Sequence, residues 1–491
     1  MLRPGHLRRT TLPGLPLVGA LVATGLGAVI AHPPGLGGKT AILGGITLLA
    51  AACFLPAFLW RTSGISSGFL YALATFLTFG LGSFAWLGQP PGASPGLSQE
   101  AVTFALVLVS AGILAFWAGY SLARPPRDVE RRSPRVVVPI WPLWLLFGLG
   151  LSADLVLFLT GRFSYLSLVG TPIEITWWQQ WLITLGGLTG LATNIACLHA
   201  FGSASKPHRL TVIAMLSMTS ALGFVSGYKG LVILPLIWAL FIFYYYRRRL
   251  PRKLLAPLVV AILVLVPANL SYRDALTTGI SVQESSFASV FQTVDETLSN
   301  SLSAPISDRM AVITQWSSIR FRNIDSVAAI QYLTPSRYPY LGVQAFGQAA
   351  ATTLVPRLLW PGKPSYSSGV RFGIQYLGVR AGSQSSTPIT HTGDLYLHAG
   401  MVGVVAGMAI WGVIASLVFR WLRRRESPQA LVIYVAAISV MVQTELNFAN
   451  VIAGGFKVLF LAWAVCRLLY GPMPIHAHET RASGPHHEMP S

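Results

Sequence analysis

The chain has 491 residues, 53% hydrophobic and only 10% charged, with a formal net charge of +19. Soluble domains carry about 25% charged residues, so a water-soluble globular class does not fit. The excess of positive charge would suit a nucleic-acid binder, but the basic residues sit in short loops between apolar blocks, which is the charge bias of membrane topology.

The apolar blocks are about 20 residues long, enough for a helix to cross a hydrocarbon core of roughly 30 Å. A transmembrane barrel would show alternating segments of about 10 residues instead. Lipid cannot satisfy free backbone groups, so the expected class is an all-α polytopic membrane protein. In chain order, about twelve spans are predicted, near 12–31, 40–60, 66–88, 101–123, 139–160, 179–201, 210–227, 230–246, 254–270, 395–419, 430–450 and 456–471. Arg3, Arg8 and Arg9 precede the first block, which lacks a convincing cleavage site and reads as an uncleaved span. Cys53, Cys197 and Cys466 all fall within apolar blocks, outside any metal or redox spacing.

Loop charges orient the spans. The segments Arg124–Arg135, Arg247–Lys253 and Arg420–Arg425, together with Lys206 and Arg209, fall on one side, expected to be cytoplasmic along with both termini. The expected organisation is spans one to nine over 1–270, a periplasmic loop over 271–394, three spans over 395–471 and a disordered cytoplasmic tail over 472–491. The histidines of that tail, His476, His478, His486 and His487, are discounted as metal ligands. The long loop holds nine bases against seven acids, so its charge is nearly balanced. Loops of this length tend to be functional. Arg309, Ile313, Trp316 and Arg320 recur at helical spacing, which predicts a partly helical cap over 305–334 lying on the membrane surface.

Bases gather just outside the membrane. Lys229 lies in the turn Ser226-Gly-Tyr-Lys-Gly230 and Arg273 follows span nine. Arg309, Arg320, Arg322, Arg357 and Lys363 join them from the loop. Guanidinium forks and lysine charges suit the oxygens of a lipid-linked diphosphate. Headgroup contact and snorkelling are the structural alternative. The segment Leu354-Val-Pro-Arg-Leu-Leu-Trp-Pro-Gly-Lys-Pro364 forms a stiff turn, with Trp360 as an interface anchor or a sugar platform.

Farther on, His391 and Asp394 lead into span ten, and His398 shares their face if the helix starts early. Carboxylates at membrane depth mark functional sites, so Asp394 or His391 is a candidate general base; an N-terminal helix charge is the alternative for Asp394. Glu445 is expected to pair structurally with an arginine of the loop. Asp154 and Glu174 are weaker candidates. No P-loop, nucleophile elbow or zinc-protease helix occurs in the sequence.

Three segments carry a family resemblance: Ser226-Gly-Tyr-Lys-Gly230, Val355-Pro-Arg-Leu-Leu-Trp-Pro-Gly-Lys-Pro364 and Thr392-Gly-Asp-Leu-Tyr-Leu-His-Ala-Gly-Met-Val-Gly403. They resemble elements of the Wzy-type O-antigen polymerases, which join oligosaccharide repeat units carried on undecaprenyl diphosphate. The resemblance covers the chain from about 220 onward. It implies a GT-C-type glycosyltransferase of the bacterial inner membrane, with its active site facing the periplasm. It further implies no cofactor or metal, no nucleotide sugar, and a chain-length-regulating co-polymerase as a possible partner. By motif position, Lys229, Arg357 and Lys363 match the family's bases, and Asp394 its acidic position, where glutamate is more usual. Taken with the loop charges, the candidate catalytic set is Asp394, His391 and Arg357; Lys229 and Lys363 by motif position, and Arg273, Arg309, Arg320 and Arg322 by their place outside the membrane, are the candidates for the diphosphate. His391 is similar to the histidine of the related O-antigen ligases, so transfer to another acceptor stands as an alternative. A polysaccharide transporter is the second.

Overall fold

The computed structural model describes, in the main, residues 37–59, 66–88, 97–123, 138–160, 176–202, 206–247, 267–272, 303–312, 322–355, 368–379, 387–425 and 427–471. Among these residues every regular element is a helix. In chain order they are α1 (Gly37–Leu59), α2 (Ser67–Thr75), a π-helical segment (Phe76–Leu81), α3 (Ala85–Gly88), α4 (Gln99–Leu122), α5 (Ile140–Leu159), α6 (Trp177–Gly202), α7 (Lys206–Val225) and α8 (Lys229–Arg247). There follow α9 (Ile324–Leu333), α10 (Gly342–Leu354), α11 (Ser368–Leu377), α12 (His391–Arg425), α13 (Pro428–Met441) and α14 (Phe448–Tyr470).

Eight of the described helices are long and apolar enough to cross a membrane, and Val232–Arg247 and Pro428–Met441 are shorter apolar helices. Large apolar side chains stand exposed along them, including Trp141 (70%), Ile213 (62%) and Phe456 (63%). Such residues line a bilayer-facing surface rather than a watery one. The chain is a multi-pass, all-α membrane protein. Predicted span 12–31 lies outside the described residues, as does the face formed by Ile313, Trp316 and Arg320, and span 254–270 lies partly outside them.

The bundle is built on the crossing of α4 and α12. Small residues let the two backbones touch, as membrane helices require when no hydrophobic gradient drives them together. Gly119 lies against the Ala409 carbonyl, and Gly412 against that of Phe116. Ser67 Oγ donates to the Ala415 carbonyl at 2.6 Å, tying α2 to the same crossing. A second tight pair is α5 on α6, where a Cβ on Gly150 would lie 2.7 Å from the Thr189 nitrogen.

The arginine-rich helix ends gather at one end of the bundle. The His208 ring bonds the Val138 carbonyl at 3.0 Å, His199 bonds the Tyr470 hydroxyl at 2.9 Å, and Ser416 donates to the Ala123 carbonyl. These contacts bring the start of α7 beside the start of α5, and the end of α6 beside the end of α14. They also bring the end of α4 beside the last turns of α12, which carry Arg423, Arg424 and Arg425.

The opposite end departs from the predicted spans. Helix α12 starts at His391, four residues before the expected position, because Thr390 caps it: its Oγ1 accepts from the Gly393 N–H at 3.1 Å. At 35 residues it would run about 52 Å if straight. Ala399 (φ −149°) and Gly400 (φ 60°) break it instead. Gly400 takes a left-handed conformation that glycine adopts without steric cost. A Cβ there would meet the Tyr340 hydroxyl at 2.9 Å.

The span expected over 430–450 likewise stops at Met441. Its 14 residues reach only about 21 Å. The polar run Gln443-Thr-Glu-Leu-Asn447 cannot continue a buried apolar helix, and Asn447 caps a new one by accepting from the Asn450 N–H at 2.9 Å. Irregular backbone inside such a bundle must be satisfied by protein. It is: Thr390 N–H donates to the Glu445 carbonyl at 3.2 Å and His391 N–H to that of Thr444 at 3.0 Å.

Candidate functional site

The two breaks meet in one buried polar cluster. It takes His391, Asp394 and His398 from the first turns of α12, which share one face because they lie three, four and seven residues apart. Of the predicted cap over 305–334, α9 is buried rather than exposed: Ile324, Val327, Ala328 and Ile330 are fully buried, and Ile330 rests against Gly393.

Asp394 is almost fully buried rather than at an open mouth (4% exposed). Its Oδ2 accepts the Phe448 N–H at 3.0 Å, so the N-terminus of α14, the positive end of its dipole, faces the carboxylate. Its Oδ1 lies 3.6 Å from His398 Nδ1. That same Nδ1 is 2.7 Å from the Asp394 backbone carbonyl. A carbonyl can only accept, so Nδ1 carries the hydrogen and the neutral ring keeps its lone pair on Nε2. His398 is the most exposed of the three polar side chains (9%). Phe346 of α10 packs edge-on against its ring at 5.4 Å, and Tyr340, 41% exposed, stands beside the helix break.

His391 is held differently. Its Nδ1 is 2.9 Å from the Tyr71 hydroxyl, and its ring lies in an apolar box of Phe448 at 4.6 Å and Trp411 at 5.9 Å. Its Nε2 and Trp411 Nε1 are buried without a hydrogen-bond partner among the described residues. The π-helical segment touches the second break, where Thr78 Oγ1 bonds Thr444 Oγ1 at 2.8 Å. Tyr71, Thr78 and Phe448 lie hundreds of residues from α12 in sequence or beyond its end, and no local spacing marks them. His398 was marked only by its helical spacing from Asp394.

Of the predicted bases, Arg309 and Arg322 have described side chains, and each bonds within its own segment. Arg322 pairs with Asp325 at 2.7 Å and lies over the Trp86 ring at 5.1 Å, while Trp86 Nε1 donates to Asp325 at 2.8 Å. Burial pushes the Asp325 carboxyl above its usual range; the Arg322 charge and the Trp86 and Arg322 hydrogen bonds pull it back only in part. Removing Arg322 leaves that buried carboxylate with the indole alone. Arg322→Ala is therefore expected to cost about 1–3 kcal/mol, and Asp325→Asn less, read as a drop in Tm of the detergent-solubilised protein.

Arg309 Nε donates to the Ala304 carbonyl of its own segment at 3.0 Å. Glu445 meets the site through its backbone carbonyl. The Lys229 backbone opens α8. Arg273, Arg320, Arg357, Lys363 and Glu174 lie outside the described residues. Asp154 is buried in α5 against Gly186 of α6. Among the described residues no group of three metal-ligating side chains comes together.

The sequence profile of a family described as a domain of unknown function (DUF8712) matches residues 152–421, more than half of the chain. The chain belongs to this family. The DUF8712 segment runs from α5 through most of α12, so it contains His391, Asp394 and His398, while Tyr71 and Phe448 lie outside it. No curated protein and no solved structure matches the chain.

Proposed function

We propose that the protein is a lipid-linked glycosyltransferase that polymerises undecaprenyl-diphosphate-linked repeat units at the periplasmic face of a bacterial inner membrane. In this reading about twelve spans form a GT-C-type body, and the arginine-rich end faces the cytoplasm by the positive-inside rule. The polar cluster then lies toward the opposite face, and the third motif segment, Thr392–Gly403, carries its Asp394 and His398. The observation that carries the reading is the Asp394–His398 pair: a histidine with its tautomer set, less buried than Asp394 and His391, two residues before a helix break at which the exposed Tyr340 stands.

The general-base role passes from Asp394 or His391 to His398. His398 Nε2 takes the proton of the acceptor sugar hydroxyl as that oxygen bonds the donor's anomeric carbon. The bond from that carbon to the diphosphate oxygen breaks, and the diphosphate leaves with the electron pair. Cations stabilise the departing charge, a role assigned to Arg357, Lys363 and Lys229 through their motif positions and to Arg273 through its place directly after predicted span nine. Asp394 is a positioning residue: it orients the imidazole and supports the imidazolium that forms. The test is incubation of purified protein with a lipid-linked repeat unit and no nucleotide. A ladder of products supports the reading, and unchanged substrate sinks it.

A transporter is the second reading, favoured by one observation: helices broken beside buried ionisable side chains, as in transporter binding sites. Solute uptake into proteoliposomes with no ladder would favour it.

A further inference from the structure

We propose that the arginine-rich end of the bundle holds a second site, which binds the phosphate head and upper acyl segment of an anionic phospholipid. A cavity of about 510 Å³ opens there between the ends of α12, α13 and α14. Ligand sites of this kind span roughly 300–1,000 Å³. Two of its walls carry guanidinium groups: Arg425 ends α12, and Arg467 lies in the last turn of α14. Two arginines suit a phosphodiester, whose oxygens accept the forked N–H groups in pairs. None of the described side chains lining the cavity is acidic.

The remaining walls change character with depth. Trp421 and Trp463 flank the arginines, the residue type that settles at the headgroup level of a bilayer. Ile433 and Leu459 continue the lining toward the middle of the bundle. Leu459 lies eight residues before Arg467 on α14, about 12 Å along the helix. The cavity therefore passes from cationic to aromatic to aliphatic over the depth at which a lipid passes from phosphate to acyl chain. Free inorganic phosphate would use only the arginines. Trp463 is half exposed (51%), which leaves the site open sideways to the bilayer. Basic pockets between helix ends are a known kind of site for anionic headgroups.

The site lies at the other end of the bundle from the His398 cluster, so it stands whether or not the glycosyltransferase reading does. The experiment uses the full chain in a neutral detergent, titrated with phosphatidylglycerol, phosphatidylcholine or inorganic phosphate. Binding is read by native mass spectrometry and thermal shift. Phosphatidylglycerol is expected to stay bound and to raise Tm by about 3 °C or more, while the other two do not. Arg467→Gln should weaken that binding about fivefold, and Arg425→Gln with Arg467→Gln about 25-fold. Arg247→Gln, at the exposed end of α8 and outside the cavity, should leave it unchanged. Leu459→Trp, which fills the aliphatic part, should abolish lipid retention with both arginines intact. Equal binding of phosphatidylcholine, a full shift with inorganic phosphate alone, or an equal loss in Arg247→Gln would each overturn the proposal.

Discussion

Replacing His398 with alanine is expected to lower polymer formation by about 10²–10⁴-fold, the usual contribution of a positioned general base. The expectation follows from geometry. Nδ1 is committed to the Asp394 carbonyl, so Nε2 is the nitrogen that can take a proton, and His398 is the least buried of the cluster. The loss should appear in kcat with KM little changed, because the proton moves in the transition state and the acceptor's other contacts remain. Added imidazole should restore part of the activity through the space the side chain leaves. Asp394→Asn should also reduce kcat, by a smaller factor, because the amide can still accept the Phe448 N–H but no longer supports the imidazolium. His391→Phe separates this role from simple packing. It gives up one hydrogen bond to Tyr71, worth about 1 kcal/mol, in an apolar box that a phenyl ring fits. It should keep its product ladder. Full-length ladders at normal yield from His398→Ala, in protein of unchanged Tm, would remove His398 from the mechanism.

The sequence announced the class and most of the spans because both follow from composition and length. Ten of the predicted spans fall on described apolar helices. The clustering of Lys and Arg at one end was legible for the same reason: the loop charges of short connections are read directly off the chain. What stayed hidden is set by contacts distant in sequence. Gln443-Thr-Glu-Leu-Asn447 reads as the polar end of a span, yet it is a break whose carbonyls at Thr444 and Glu445 hold the backbone of Thr390 and His391. Asp394 reads as a residue at an open mouth because the Phe448 amide that receives its charge lies 54 residues on. Arg322 reads as one base among many although Asp325, three residues on, is a partner that helical spacing offers; Trp86, which completes the cluster, is 239 residues from Asp325 and has no local signal. Helical periodicity did mark His391, Asp394 and His398 as one face, and it could not rank them, since burial is a property of the neighbours.

Gly412→Val is expected to be the most damaging single change to the fold. Gly412 lies directly against the Phe116 carbonyl, and on the other side of the same crossing Gly119 lies against that of Ala409. A side chain that met only flexible neighbours could be absorbed by a rotamer change. Here the obstacle is backbone, so α4 and α12 must move apart along the seam that anchors α2 as well, through Ser67 and the Ala415 carbonyl. Overpacking costs about 1–3 kcal/mol in ordinary cores and more where backbone must shift, so about 3 kcal/mol or more is expected here. In a membrane bundle the seam is also the main source of cohesion, because lipid offers the separated helices an equally apolar partner. The measurements are Tm and gel-filtration profile in detergent, with Gly454→Val as the comparison. A Cβ on Gly454 meets nothing within 4 Å, and valine is no poorer a helix former than glycine, so that variant keeps the native profile. Since α12 carries His391, Asp394 and His398 on its first turns, separation of the seam should also displace the site from α14. Activity would then fall with the fold in Gly412→Val, whereas in His398→Ala it falls while Tm is kept.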